Sequence, residues 1–173
     1  MVADNQNRLV GLITSANPHD GSSAHGNVAV VFQSPAAVDL LATEQAVLNF
    51  SDGPRLNIPP YREHKSSPET RLQIVTESKI KRAILETIHA TGKGDHIEMV
   101  MFYLSDRDIV TALKKARRRG VNLRILLDPN KDAFGRTKNG IPNRQVALEL
   151  VKAGIEVKWS HTHGEQSHAK LML

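Results

Sequence analysis

The sequence predicts an α/β fold with a mostly parallel sheet, and three observations predict it. From Arg71 onward, short apolar runs alternate with helical stretches of about ten to fifteen residues, the rhythm of strand–helix–strand units. Two of those helical stretches run into a glycine, Gly120 and Gly154, the residue that most readily takes the left-handed turn ending a helix. Aromatic residues make up only 4% of the chain, so the core must be built from aliphatic side chains, which suit buried strands and the helices that cover them.

The elements follow in order. Arg8 to Thr14 reads as a short buried strand, and Asn27 to Gln33 as a second. The polar stretch Ser15 to Gly26 between them carries Asn17-Pro18 and Asp20-Gly21, both strong turn signals. Two strands joined by a polar loop are compatible with an antiparallel pair. Ser34-Pro35 opens a helix, with serine at the cap and proline in the first turn. Val38, Leu41, Gln45 and Leu48 then recur at helical spacing until Asn49. Ser51 to Ser67 has little apolar periodicity and carries Asp52-Gly53-Pro54 and Pro59-Pro60, so it reads as a linker.

Beyond the linker, Leu72 to Thr76 is predicted as a strand. Lys79 to Ala90 is predicted as a helix with Ile80, Ala83, Ile84 and Ile88 inward. Ile97 to Tyr103 is the next strand. Ser105 is expected to cap a helix whose inner face is Ile109, Ala112, Leu113 and Ala116. Val121 to Leu127 is a strand, Asp128 to Gly140 a polar loop, Pro142 to Ala153 a helix and Ile155 to Trp159 a strand. A final strand holds His168. In open α/β sheets ligands bind at the carboxyl ends of the strands. Leu104-Ser105, Asp128-Pro129 and Ser160-His161 are therefore expected to line one rim. The tip Ser15 to Gly26 would join that rim if its strand runs parallel to the others.

The formal net charge is +5. That suits an anionic partner, such as a phosphodiester or an acidic membrane surface, and it is equally accounted for by solubility. The absence of cysteine excludes disulfides and thiolate metal sites. No apolar run approaches the roughly 20 residues of a membrane span. The chain is expected to be soluble, and its parent protein cytoplasmic or membrane-associated.

His168-Ala169-Lys170 closes the sequence with chemistry. Residues two apart in a strand share a face. An imidazole beside an ammonium suits attack on, or protonation of, a phosphate ester whose negative oxygens are held at the same time. The plain alternative is a satisfied histidine and a surface lysine on an edge strand. His161, His163 and His168 with Glu165 offer zinc-type donors, but their spacing matches no ligand pattern, and neither a metal nor a cofactor is expected. Lys114, Lys115 and Arg117 to Arg119 supply the charge to grip nucleic acid or lipid headgroups, yet they also sit where a helix dipole favours cations; the solvated helix end is the stronger reading. Lys131, Arg136 and Lys138 are candidates to face a phosphate from the rim.

These residues resemble the phospholipase D superfamily, whose signature is His-x-Lys, four residues, Asp, and then a Gly-Ser-x-Asn-like turn after the next strand. His168 and Lys170 match the front half of that signature. Asp4, Ser15 and Asn17 match the back half. Their order fits two successive motifs, the end of one and the start of the next. The registry puts the first motif's His and Lys before Met1 and the second motif's Asp two residues beyond Leu173, so the chain is expected to be a fragment of a cardiolipin-synthase-like protein. The expected layout is the C-terminal part of a first phospholipase D-like domain over residues 1–50, a linker over 51–69, and the N-terminal part of a second domain over 70–173. The implied fold is the superfamily's layered α/β sandwich.

The resemblance implies phosphodiesterase or phosphatidyltransferase chemistry on phospholipid, through a phosphohistidine and without metal. In that scheme His168 is acid/base, Lys170 and Asn17 bind phosphoryl oxygens, Ser15 assists at the turn and the phosphate, and Asp4 is structural. Two His-Lys pairs are needed, so the chain alone is expected to be very weak unless it self-associates. Two departures stand out. Thr14 occupies the usual glycine position, and Gly26-Asn27-Val28-Ala29 carries no carboxylate to orient a catalytic histidine, leaving His25 or Asn27 as substitutes or as loop caps. A nuclease of the same superfamily and a non-catalytic anion-binding module are the competing readings.

Overall fold

A strand exists only through its partner, and pairing sorts the apolar runs into two sheets and a small hairpin. The computed structural model describes residues 2–5, 8–34, 36–58, 72–129, 132–133, 136–137, 139, 141–161, 163 and 165–173. In chain order the elements are β1 (Val2–Asn5), β2 (Arg8–Thr14), a 3-10 turn (Asp20–Ala24), β3 (Ala29–Gln33), α1 (Ala37–Phe50), α2 (Ser78–Ala90), β4 (His96–Met101), α3 (Arg107–Arg118), β5 (Asn122–Leu127), β6 (Asp132–Ala133), β7 (Arg136–Thr137), α4 (Asn143–Lys152), β8 (Glu156–Trp159) and β9 (Lys170–Met172). They group into two compact units, Met1–Thr14 with Ala29–Lys79, and Ser15–Val28 with Ile80–Leu173.

The first unit holds a three-stranded antiparallel sheet, β1-β2-β3, with α1 beside it. β1 was not expected as a strand; it forms because Val2 to Asn5 runs antiparallel along β2. Gly11 lies opposite Phe32, and the Phe32 ring fills the space that a side chain at Gly11 would need. Among the described residues, Ala37 is the one buried hydrophobic residue of this unit. Residues 72–76 are not a strand, contrary to expectation. The run Leu-Gln-Ile-Val-Thr has strand composition but joins no ladder, and composition without a pairing edge does not make a strand.

The second unit is built on a four-stranded sheet in the order β8-β5-β4-β9. β8, β5 and β4 are parallel and β9 runs antiparallel to β4, so the chain is an α/β protein with a mostly parallel sheet. Alternation along the strands sends Ile97 and Met99 of β4, and Leu123, Ile125 and Leu127 of β5, into one core. α3 lays Ile109, Ala112, Leu113 and Ala116 against it, and α4 adds Val146, Ala147 and Leu150. On the opposite face the register sets Arg124 beside Glu98, and their ion pair closes at 2.7 Å.

Helix starts differ from expectation in two places. α1 has Ala36 rather than Ser34 at its cap position, and the Ser34 hydroxyl accepts from Ala36 N–H before the helix begins. The cap of α3 is Asp106, not Ser105: the Asp106 carboxylate accepts from the backbone N–H groups of Asp108 and Ile109. A carboxylate there has both an acceptor and a charge suited to the helix N-terminus. Gly120 and Gly154 follow α3 and α4 with φ of 89° and 78°, the left-handed geometry that stops a helix. In α2, Ile88 is buried while Ile80 is 47% exposed, so the inward face begins later than expected.

Candidate functional site

Parallel strands end on the same edge, so the segments after Met101, Leu127 and Trp159 share one rim, as expected. β9 runs the other way and therefore starts there: Lys170 is paired with Met101. His168 lies two residues before Lys170, just outside the ladder rather than within a strand. The rim is held from below by Asn143, the first residue of α4, which is fully buried. Its amide oxygen accepts from Leu104 N, and its NH2 donates to the carbonyls of Phe102 and Asp128 at 2.7 and 2.9 Å. One side chain thus ties together the segments that follow β4 and β5.

The stretch Ser15–Val28 belongs to the same unit and reaches His168. Gly26 N–H donates to Gln166 O at 2.8 Å, and His168 N–H donates to Gly26 O at 2.7 Å. These bonds form a short parallel bridge between Gly26 and Ser167. The Nδ1 of His168 lies 2.9 Å from the carbonyl oxygen of Ser15. A carbonyl only accepts, so Nδ1 carries the proton and Nε2 keeps its lone pair. The group that orients this histidine is therefore a backbone carbonyl at the turn, where a carboxylate was looked for.

Lys170 Nζ donates to the carbonyl of His168 at 2.7 Å and lies 3.1 Å from Nε2 and 3.2 Å from Nδ1 of the same ring. Because Nδ1 already donates to Ser15, only Nε2 can accept from the ammonium. The ring of Phe102, 3% exposed, lies 4.8 Å from the His168 ring and 5.3 Å from Lys170 Nζ, centroid to centroid and to nitrogen respectively. Desolvation in this setting lowers the Lys170 pKa below the usual lysine value, although the residue is exposed overall.

The remaining residues of the expected site are placed as follows. The hydroxyl of Ser15 donates to Asn27 Oδ1 and accepts from Val28 N–H, so its one proton serves the turn. Asn27 in turn donates to the carbonyls of Ser22 and His25. Asn17 is exposed, with its backbone N–H on Ser22 Oγ. Asp4 lies in β1, paired with Leu9 in the first unit. His161 and His163 stack at 4.4 Å, and Glu165 accepts from the backbone N–H of His163. Among the described residues no group of His, Asp and Glu converges as a metal site would. Arg119 caps the carbonyls of Ile88 and Thr91, and Lys114 pairs with Glu149, which accounts for part of the basic cluster on α3. Arg136 lies in β7, while Lys131 and Lys138 lie outside the described residues.

Sequence reasoning missed Phe102 and Asn143, and placed Asp128 on the rim without giving it a partner. Asp128 is a 3% exposed carboxylate at the end of β5, and it accepts from Ser167 N–H at 2.7 Å. Its position after an apolar strand was the available signal; Asn143 carried none. A groove of about 480 Å³ lies at the other end of the sheet, lined by His96, Glu98, Arg117, Arg124 and Glu156 among others, and holds none of these residues. Among the described residues no helix is long and apolar enough to cross a membrane.

The site can hold an oxyanion beside a nitrogen able to take or give a proton. No curated protein sequence matches the chain. Among solved structures, the crystal structure of polyphosphate kinase from Porphyromonas gingivalis aligns with a TM-score of 0.38 at 20% identity, covering 54% of this chain and 14% of that kinase. The profile of the family described as cardiolipin synthase, PLD-like domain, matches residues 84–173, just over half of the chain. The chain belongs to the family of cardiolipin synthase PLD-like domains.

Proposed function

We propose that the chain contributes a His-Lys half-site to phospholipase D-type cleavage or transfer of a phosphodiester, with phospholipid as the substrate. Membership of the family supports a phosphodiester as the substrate class. The observation that carries the reading is the state of His168: Nδ1 is committed to Ser15 O at 2.9 Å, leaving Nε2 as the reactive nitrogen with the Lys170 ammonium 3.1 Å away. In this role the ring must bind a second proton at Nε2 before reaction; that proton goes to the leaving alcohol, and Nε2 then takes one back from the incoming water or alcohol. Lys170 turns from Nε2 to a phosphoryl oxygen when substrate arrives, and Asn17 supplies a second donor from the neighbouring turn. Ser15 holds that turn and contributes its carbonyl. Asp4 supports the strand that leads into it. The layout proposed is the end of one phospholipase D-like domain in residues 1–50, a linker over 51–69 and the start of a second domain from residue 70.

Phosphohistidine chemistry uses two His-Lys pairs, and this chain carries one His-x-Lys. The expected result is a weak diesterase activity that rises more than proportionally with protein concentration, as two copies pool their half-sites. The test is hydrolysis of bis(4-nitrophenyl) phosphate and of phosphatidylglycerol vesicles by wild type and His168→Ala. Loss in the variant, on the order of a hundredfold or more, is expected; full activity in His168→Ala sinks the assignment.

A further inference from the structure

His168 precedes the ladder of β9, and the backbone that delivers it is held by one isolated bridge to Gly26 rather than by a continuous strand. Yet three consecutive backbone N–H groups in this approach are each taken by a different acceptor. Gln166 N–H donates to His25 Nδ1 at 2.9 Å, Ser167 N–H to Asp128 Oδ2 at 2.7 Å, and His168 N–H to Gly26 O at 2.7 Å. Two of the three acceptors are side chains, and they lie 141 and 39 residues away in sequence. Backbone donors in irregular segments pair with backbone, side chains or water, and here two of the three draw on side chains from distant parts of the chain. Irregular backbone held by distant side chains is how a reactive group is kept in one geometry without a regular element.

We infer that His25 and Asp128 are positioning residues for His168, with His25 the specific one. The inference rests on the reading of His168 as the reacting histidine. His25 accepts at Nδ1, so this nitrogen is bare and the proton of the neutral ring sits on Nε2. Gly26, the next residue, accepts from His168 N–H and donates to Gln166 O. His25 and Gly26 therefore grip the approach from one side as a unit, while Asp128 grips it from the rim. The same Ser15–Val28 stretch presents the Ser15 carbonyl to His168 Nδ1. Fixing residues 166–168 relative to this stretch fixes the Nδ1–H tautomer and leaves Nε2 available beside Lys170. His25 touches neither substrate nor the reacting nitrogen; it acts through Gln166. Asp128 is buried and participates in the rim, so its removal threatens the fold, whereas His25 is only half-buried in a loop.

The experiment compares wild type, His25→Ala, His25→Asn and His168→Ala as the full chain. The Asn side-chain oxygen falls near the place of His Nδ1 and can accept the same N–H. Two readouts are taken. One is the 15N chemical shift pair of the His168 ring, assigned by its loss in His168→Ala. The other is hydrolysis of bis(4-nitrophenyl) phosphate. In wild type the His168 ring is expected to show one fixed tautomer with Nδ1 protonated. His25→Ala is expected to average that signature toward mixed tautomers and to lower kcat on the order of tenfold to a hundredfold with KM little changed. His25→Asn is expected to restore both. An unchanged His168 tautomer in His25→Ala, or failure of His25→Asn to restore it in a folded variant, overturns the positioning role. If the tautomer responds as expected while His168→Ala keeps full diesterase activity, the positioning of the ring stands and the catalytic reading of His168 falls.

Discussion

Lys170 shows what holding an ammonium against an imidazole costs at the scale of one residue. Its amine lies beside Phe102 and His168, and desolvation there holds its pKa below 10.5 although the residue is exposed overall. A lysine whose folded pKa is depressed binds fewer protons folded than unfolded between the two values. Stability in that window therefore rises with pH, is fully gained above the unfolded value of 10.5, and is withheld at neutral pH. Lys170→Met is thus expected to leave thermal stability unchanged or slightly raised, the effect being small because the side chain is exposed and its charge screened, while removing the proposed phosphate affinity at the site. A fall of more than about 1 kcal/mol in urea unfolding would show that the lysine is there for structure. The pairing of His168 and Lys170 was legible in the sequence because two residues of distinctive chemistry lie two apart. The Ser15 carbonyl was not, since every residue has a carbonyl and only the fold selects one. His25 was legible as a candidate substitute for a missing carboxylate, but not the backbone N–H it would meet.

At the scale of elements, periodicity located α3 with its buried face, and α4 as a helix, because burial of one stripe is what makes a helix amphipathic. The start of α3 was misread by one residue. Ser105 and Asp106 are both good caps, and the choice depends on which backbone turns first, a matter the pattern of apolar residues does not register. Asp106 also pairs with Lys81 on α2 at 2.9 Å. That side-chain contact, with the backbone donors of Ile109 and Asp108, holds its carboxyl pKa below the usual 3.8 against the opposing effect of desolvation. The sign follows: the contribution is complete above pH 3.8 and is lost as pH falls through the lower folded value. Asp106→Ala is expected to destabilise by about 1 kcal/mol at pH 7. Asp106→Asn keeps the cap and loses the charge, so it should sit closer to wild type and flatten the acid limb of the stability profile below pH 3.8. Equal losses in the two variants would mean that the ion pair, not the cap, is what stabilises the start of α3. The failed strand at 72–76 teaches the converse. Strand composition marks a segment able to pair, and whether an edge exists for it is decided by the rest of the chain.

On the scale of the whole molecule, the connection between β2 and β3 divides connectivity from packing. Ser15–Val28 is covalently bounded by β2 and β3 of the first unit but groups with the second. The described core cluster lies entirely in the second unit, from Ile88 onward, while the first has Ala37 as its buried hydrophobic residue among those described. Local opening free energies follow buried apolar contact. Backbone amides of β2 and β3 are therefore expected to exchange with deuterium faster than those of β4 and β5. The informative amides are Gly26 and His168, which bond to Gln166 O and Gly26 O. If the turn is part of the reacting unit, their protection follows β4 and β5, even though residues on either side of the turn exchange with β2 and β3. Mass-spectrometric or NMR exchange on the full chain resolves the two classes. Should Gly26 and His168 exchange at the rate of β2 and β3, the turn would open whenever the first unit does, the Ser15 carbonyl would leave His168, and the half-site would exist only for the fraction of time that the first unit is closed.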